Sequence, residues 1–590
     1  MNVWALVSMA LVAAMTFYLG HRSSRFANTT HDFLVARRTV RSRRNAAAIS
    51  GEYLSAASFL GVAGIILKEG ADALWYPIGF TAGYLALMLF VAAPLRRSGA
   101  YTLPDFLEAR LGSQRLRTVS TWFVAGIGVL YMVPQLQGAG LAMTTLMPSA
   151  PAWLGASVVT LIVGVNVIGG GMRAITVVQA FQYWLKLFAI AVPAFVLSAV
   201  FIAGGAGESA GSLGSPDAPN FPEETTVAVK TDVSLQVRSE TPVWTPAEAA
   251  NQMVWVPGYE YDVEAGTSLR FPAGAPVPVV QAATADNSSW LRPSSGGTQG
   301  LLSTYSLILA TFLGTMGLPH VLVRFYTNPD GKAARRTTVH VLLLLGLFYL
   351  FPTILGALSR MYVPRLLMTE RTDAAVLLLP SVILPGIGGQ VLGAITAAGA
   401  FAAFLATSSG LLVSVAGVVS TDVLRKGRVR DFRLAAVLVA LIAWGVAITL
   451  EPTDLSLSVG MSFALAASTF CPLLVLGIWW RKLTWAGAMA GICTGGGLVV
   501  AALGLNAVSN YTGGWAPWFL EQPALFTVPA AFLITVVVSL GTARSRPDDL
   551  NLVMLQLHAP DPLGFMRDRA IARFGKAEER VRLGKGRHRK

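Results

Sequence analysis

The chain has 590 residues, of which 54% are hydrophobic and only 13% charged, about half the ~25% charge usual in soluble domains. A mean hydropathy of +0.58 is more apolar surface than soluble cores can hide, so lipid is the expected solvent and a soluble enzyme is excluded. The formal net charge of +14 would point to nucleic acid in a soluble protein, but membrane topology accounts for it here, and Cys471 and Cys493, both inside apolar runs, give neither a disulfide framework nor a metal cluster.

Apolar runs long enough to cross a bilayer core of ~30 Å, which takes ~20 helical residues, recur along the sequence. Thirteen are marked, near 3–20, 46–67, 74–95, 118–147, 153–170, 174–203, 301–325, 338–358, 385–423, 433–450, 456–478, 484–505 and 524–541. The loops set the orientation, because cytoplasmic loops collect Lys and Arg. Loop 21–45 carries seven arginines against the single Asp32, which puts the N-terminus outside. Basic loops follow at every second gap, with Arg96, Arg97, Arg110, Arg115 and Arg117, then Lys332, Arg335 and Arg336, then 425–433, then Arg481 and Lys482. The exceptions are Arg360, Arg365 and Arg371, which fall on the expected outer side. The first run has its positive charge after the apolar stretch, as in a retained anchor and unlike a cleaved signal peptide.

Residues 204–300 form the one sizeable polar segment, with eleven acidic and four basic residues, and belong outside. Alternation over 226–230 and 234–238 suggests a small β-rich insertion, the alternative being a mostly disordered loop. The tail from 543 holds twelve basic and six acidic residues and is expected on the cytoplasmic side, against lipid headgroups and not nucleic acid. The expected divisions are an N-terminal span (1–22), a transport core (46–480) interrupted by the insertion, two C-terminal spans (484–541) and the tail (543–590).

No H-E-x-x-H zinc motif, nucleophile elbow or P-loop is present, so nothing points to an enzyme, and no cofactor is expected beyond a coupling ion. What the sequence offers is interruption. In transporters, paired broken helices expose backbone groups that bind solute and ions. Span two reads AAAISGEYLSAAS over 46–58 and places Glu52 among apolar residues; an isolated charge there costs at least ~2.5 kcal/mol, so Glu52 needs a cavity or a partner. Span seven reads GTMGLPH over 314–320, followed by Arg324; Pro319 removes a helical hydrogen bond and Gly317 eases unwinding, which taken alone is also the pattern of a plain proline kink. The two interruptions are five spans apart, the offset between equivalent helices of two five-helix inverted repeats. Span nine carries Thr407, Ser408 and Ser409, whose hydroxyls either bond back one turn or offer oxygens to a hard cation. Tyr131, Gln135 and Gln137 flank Pro134 in span four as uncharged polar groups suited to a small solute or to helix packing.

At these residues the sequence resembles the solute:sodium symporter family, most closely its acetate permease type of cation/monocarboxylate symporter. The matching strings are GEYLSAASFLG over 51–61, YTLPDF over 101–106, Gln135 with the GAG of 138–140, and GTMGLPH over 314–320 with Arg324 and Phe325. The resemblance implies an all-α polytopic membrane protein of thirteen helices, spans two to eleven forming the inverted-repeat core also found in the bacterial leucine transporter. It implies a cation held between the first and eighth core helices by the carbonyls of Ala46, Ile49 and Ala403 and the hydroxyl of Thr407. The family's first hydroxyl falls on Ala406, with Ser408 beside it as a substitute. Candidate solute contacts are Glu52, Tyr53, Ser55, Tyr131, Gln135, Gly314 and Gly317.

The expected function is secondary active uptake of a small acetate-like monocarboxylate with Na⁺ or H⁺ across the plasma (inner) membrane. The alternatives are Na⁺-coupled uptake of a neutral or zwitterionic solute such as an amino acid, or a transporter-like solute sensor. Because an ionised Glu52 would repel an anion, a cavity-lining Glu52 is expected to carry the coupling proton.

Overall fold

A computed structural model describes residues 2–24, 36–203, 218–229, 232–244, 253–280, 283–293, 297–369, 371–424, 428–450, 454–512, 515–547 and 549–559. The basic run at 580–590, Asp32 and the stretch 204–217 lie outside the described residues.

Helix α1 (Val3–Ser24) is unbroken. The second expected span is not. Helix α2 (Ser42–Tyr53) stops at the sequence interruption, Leu54 and Ser55 leave the helical path, and the chain resumes through a π-turn at Ala57–Gly61 into α3 (Val62–Glu69). Helices α4 (Trp75–Phe90) and α5 (Ala92–Arg97) follow, then α6 (Leu103–Leu111). The TLPD string starts α6: Thr102 Oγ1 accepts the Asp105 amide at 3.2 Å and Pro104 occupies the first turn, where its missing donor is harmless. Helices α7 (Gln114–Leu146) and α8 (Ala152–Ala203) complete the first half.

Among its described residues the insertion holds seven short strands in three antiparallel sheets. β1 (Thr225–Ala228) pairs with β6 (Ser268–Phe271), β2 (Val233–Gln236) lies between β5 (Glu260–Val263) and β7 (Val279–Val280), and β3 (Thr241–Val243) pairs with β4 (Met253–Trp255). The alternation seen in the sequence appears as β1 and β2, with Val227, Val229, Leu235 and Val237 buried. A short helix, α9 (Asn287–Leu291), then docks the insertion on the end of α3, where Trp290 Nε1 donates to the Ile66 carbonyl at 2.7 Å. Arg360 serves the same joint. It is buried, donates to Asn287 Oδ1, and lies over the Trp290 ring, so its place on the expected outer side is a packing role.

The second half repeats the pattern of the first. Helix α10 (Gly297–Gly317) ends at Leu318, and Pro319 begins α11 (Pro319–Phe325). Helices α12 (Gly331–Tyr362), α13 (Ala375–Ile383), α14 (Ile387–Val418), α15 (Val429–Thr449) and α16 (Leu455–Trp479) follow, then α17 (Trp485–Tyr511), α18 (Trp518–Glu521), α19 (Ala524–Gly541) and α20 (Leu550–His558). The apolar windows of α14 and α16 are 94% and 89% buried, against 28% for α1, so these two form the centre of the bundle.

Eleven helical runs among the described residues are long and apolar enough to cross a membrane. Thirteen spans were expected. The difference arises where the chain turns without leaving helix for long: Ala57–Phe90 takes in parts of spans two and three around Gly70 (φ +68°), and α8 takes in spans five and six around Gly171. Gly171 has φ 56° and ψ −160°, a region open essentially to glycine alone, where another residue costs about 1–3 kcal/mol. Gly171→Ala is therefore expected to lower the thermal unfolding midpoint of the detergent-purified protein by several degrees; an unchanged midpoint would contradict this account of the turn.

Candidate solute and cation site

Opening a helix inside lipid strands backbone groups that no water can serve, so side chains from neighbouring helices must serve them. At the first break they do. Lys186 of α8 donates from Nζ to the Gly51 carbonyl and, at 2.6 Å, to that of Leu54. Thr407 of α14 donates from Oγ1 to the Glu52 carbonyl at 2.6 Å. Gln135 of α7 accepts the Ala56 amide at 2.8 Å. Three helices thus hold one interruption open. Gly51 is required here, because a Cβ would strike the Gln179 carbonyl of α8.

The Glu52 side chain finds a partner. Arg324 of α11 donates from Nε to Oε2 at 2.6 Å, and both side chains are essentially inaccessible. The rest of the guanidinium is held by α8, through Thr176 Oγ1 at 2.9 Å and the Gln179 side-chain carbonyl. Asn45 of α2 donates to the Arg324 carbonyl at 3.1 Å. The ion pair therefore joins the half-helix before the first break to the half-helix after the second. On the other side of Glu52, Gly410 of α14 comes so close that a Cβ would overlap the carboxylate.

The second break lies beside the first. Tyr53, the last residue of α2, donates from its hydroxyl to the Phe80 carbonyl at 3.0 Å and stands 2.9 Å from Thr315 Oγ1 of α10. Gly314 and Gly317 let α10 approach α16: a Cβ on either would collide with the Phe463 or Ala466 carbonyl. Phe463 fills the space between, 6.0 Å from the Tyr53 ring and 5.9 Å from that of Tyr131. Tyr131 in turn meets the His320 ring edge-on at 5.1 Å.

On the broken helices and on α16 several polar atoms are buried without a partner. Both ring nitrogens of His320 are so placed, as are the hydroxyls of Ser50 and Ser462; Ser55 Oγ stands next to the Tyr131 hydroxyl without a well-formed hydrogen bond. A buried polar group left unpaired costs about 1–3 kcal/mol, and such groups are rare enough that each calls for a reason. A small polar solute between the breaks would supply one.

The residues implied for a cation are distributed differently. Ala46 and Ile49 lie inside the continuous helix α2, before the break, and Thr407 serves the Glu52 carbonyl. Ala403 is buried in α14, the neighbouring Ala406 carbonyl accepts from Gln179 Nε2 at 2.7 Å, and the Ser408 hydroxyl is buried without a partner. Gln137 turns away to the Leu450 carbonyl. Sequence reasoning passed over Lys186, Gln179, His320 as an unpartnered ring, and Phe463. Lys186 had a usable signal, a lone charge in the apolar run 174–203; Phe463 had none.

Removing one partner of a buried ion pair costs about 3–5 kcal/mol, more than removing both. Arg324→Gln is thus expected to destabilise the protein strongly in thermal unfolding, and Glu52→Gln in the same chain to recover much of the loss. A double variant no more stable than Arg324→Gln would contradict the pairing.

Residues 33–213 and 274–495 match the sodium:solute symporter family. The chain is 29% identical over 554 residues to "Uncharacterized symporter YwcA" of Bacillus subtilis (strain 168), across 90% of this chain and 93% of that protein. It is 28% identical over 588 residues to "Monocarboxylic acid transporter" of Corynebacterium glutamicum, across 95% and 94%. Among solved structures, a substrate-bound, outward-open Na⁺-coupled sialic acid symporter superposes with a TM-score of 0.59 at 14% identity, covering 90% of this chain and 98% of that one. Mhp1, a nucleobase-cation-symport-1 family transporter in a closed conformation, gives a TM-score of 0.50 at 11% identity, across 89% and 98%. These structural likenesses carry the fold, a five-helix inverted-repeat core whose first helices are the two broken ones. With the family match extending over both halves of that core, the chain belongs to the sodium:solute symporter family and is a multi-pass membrane transporter.

Proposed function

We propose that this symporter imports a small monocarboxylate of the acetate and pyruvate size, driven by an inward cation gradient. The observation that carries the reading is the pair of unpartnered polar side chains, His320 and Ser55, beside Tyr131, whose ring packs on Phe463 and through it on Tyr53 where the two broken helices meet. A few directed polar contacts within aromatic walls suit a short carboxylate with an apolar end. The resemblance to a protein named as a monocarboxylic acid transporter supports the same class.

In this reading Tyr53, Ser55, Tyr131, Gln135, Gly314 and Gly317 shape the solute site. Ser55 and Tyr131 touch the solute; Tyr53 and Gln135 fix the ends of the break; the two glycines admit α16. Glu52 acts through Arg324. Its negative charge is matched by a guanidinium, so it does not repel an anion, and the coupling proton is assigned to another group. Ala46, Ile49, Ala403, Thr407 and Ser408 are the proposed ligands should Na⁺ be the coupling ion. The basic loops put the N-terminus outside and the tail on the cytoplasmic side of the plasma (inner) membrane.

Uptake of radiolabelled acetate, pyruvate and proline into proteoliposomes, corrected for protein-free vesicles and measured under separate Na⁺ and H⁺ gradients, tests the proposal. The monocarboxylates are expected to accumulate above equilibrium and proline not to. His320→Ala is expected to lower monocarboxylate uptake by roughly tenfold or more, an effect expressed mainly in KM. Equilibration without accumulation, or proline as the accumulated solute, would overturn it.

A further inference from the structure

Lys186 is fully buried in the second half of α8, and its side-chain nitrogen donates to two main-chain carbonyls with no ion pair among the described residues. The Gly51 and Leu54 carbonyls it grips are those liberated by the first break. They are hard oxygen donors of the kind an alkali cation takes, and the Lys186 nitrogen already occupies them. We propose that Lys186 carries the coupling proton, so that protonated Lys186 and one solute carboxylate travel together and Na⁺ is not required. This rests on the monocarboxylate reading above.

The charges at the site support the pairing. Glu52 and Arg324 cancel. With Lys186 protonated the site has one positive charge in excess, and one carboxylate brings it to zero. With Lys186 neutral and no solute the charge is again zero. The loaded and the empty carrier are therefore both electroneutral, while a site holding only the proton or only the anion carries an uncompensated charge in a low-dielectric interior, which is costly. Obligatory coupling follows from this arithmetic without any further device. On the outside, a proton from water forms the N–H bond at Nζ as the carboxylate enters; on the inside, the bond breaks and the proton returns to water as the carboxylate leaves.

The groups around Lys186 leave it as the titrating member. From α2 it faces Glu52, which is held by Arg324 of α11. On its own helix Tyr183 is tied to the Leu344 carbonyl. Helix α12 brings Tyr349, bonded to Ser58, and α14 has no ionisable residue in its length. The facing part of α1 offers Thr16, which bonds Gln182, with Tyr18, His21 and Arg22 further along that helix.

Pyruvate transport in proteoliposomes tests the assignment. The wild type is expected to accumulate pyruvate under a pH gradient, acid outside, without Na⁺ and without response to membrane potential. Lys186→Arg keeps a fixed positive charge, so it is expected to retain pyruvate–pyruvate exchange yet lose net pH-driven accumulation by roughly tenfold or more. Wild-type accumulation that follows Na⁺ and ignores pH, or Lys186→Arg that accumulates as well as wild type, would overturn the assignment while leaving the monocarboxylate reading intact. A wild type that carries no monocarboxylate under either gradient would overturn that reading and this one with it. Independently of any variant, adding pyruvate to the purified wild type in weak buffer with a pH dye is expected to take up about one proton per chain through linkage, and no proton uptake would overturn the assignment.

Discussion

The structure depends on one constraint: a helix opened within lipid must have its freed backbone groups hydrogen-bonded by other protein groups. At the first break the bonds come from Lys186 on α8, Thr407 on α14 and Gln135 on α7. Each belongs to a different helix, so the break is a junction of the bundle and not a local defect in one rod. Side-chain bonds of this kind differ from helical ones in a way that matters for transport. They can be released and remade when two groups of helices shift relative to each other, whereas a continuous helix has no such freedom.

Packing around the junction follows from the same requirement. Gly51, Gly314, Gly317 and Gly410 stand where neighbouring backbone or the Glu52 carboxylate comes within reach of a Cβ. Small residues at such crossings let helices approach closely in membranes. The Glu52–Arg324 pair adds a strut across the two repeats, and Tyr53 with Thr315 adds a second on the far side of the aromatic group. Among the buried groups left unsatisfied are His320, which opens the half-helix after the second break, and Ser55 at the first break; others, such as Arg110 Nη1 and Asp454 Oδ1, lie elsewhere in the bundle.

Much of this was legible in the sequence. Gly51-Glu52 and Gly317-Leu318-Pro319 stand out because charge, glycine and proline oppose a continuous apolar helix, and both became real interruptions at adjacent positions. The Val-x-Leu-x-Val pattern of 233–237 became strand because period-two alternation buries one face. The cost of an isolated charge correctly demanded a partner for Glu52, but could not say that the partner is Arg324, 272 positions away. The same cost applied to Lys186, in TVVQAFQYWLKLFAIAVPAF, and would have marked it. Phe463 sits in an apolar run where nothing distinguishes a wall of the site from ordinary packing. The span count differed for a geometric reason: turns at Gly70 and Gly171 are short enough for two expected spans to share one helical run.

The central claim, that the meeting point of the two breaks is where the solute sits, is tested most directly by chemical protection of Ser55. In a chain with Cys471 and Cys493 replaced by serine, Ser55→Cys is labelled with a small methanethiosulfonate reagent in proteoliposomes. Pyruvate is predicted to slow the labelling in proportion to site occupancy and proline to leave it unchanged. Labelling at the same rate with and without a saturating, transported monocarboxylate would contradict the claim.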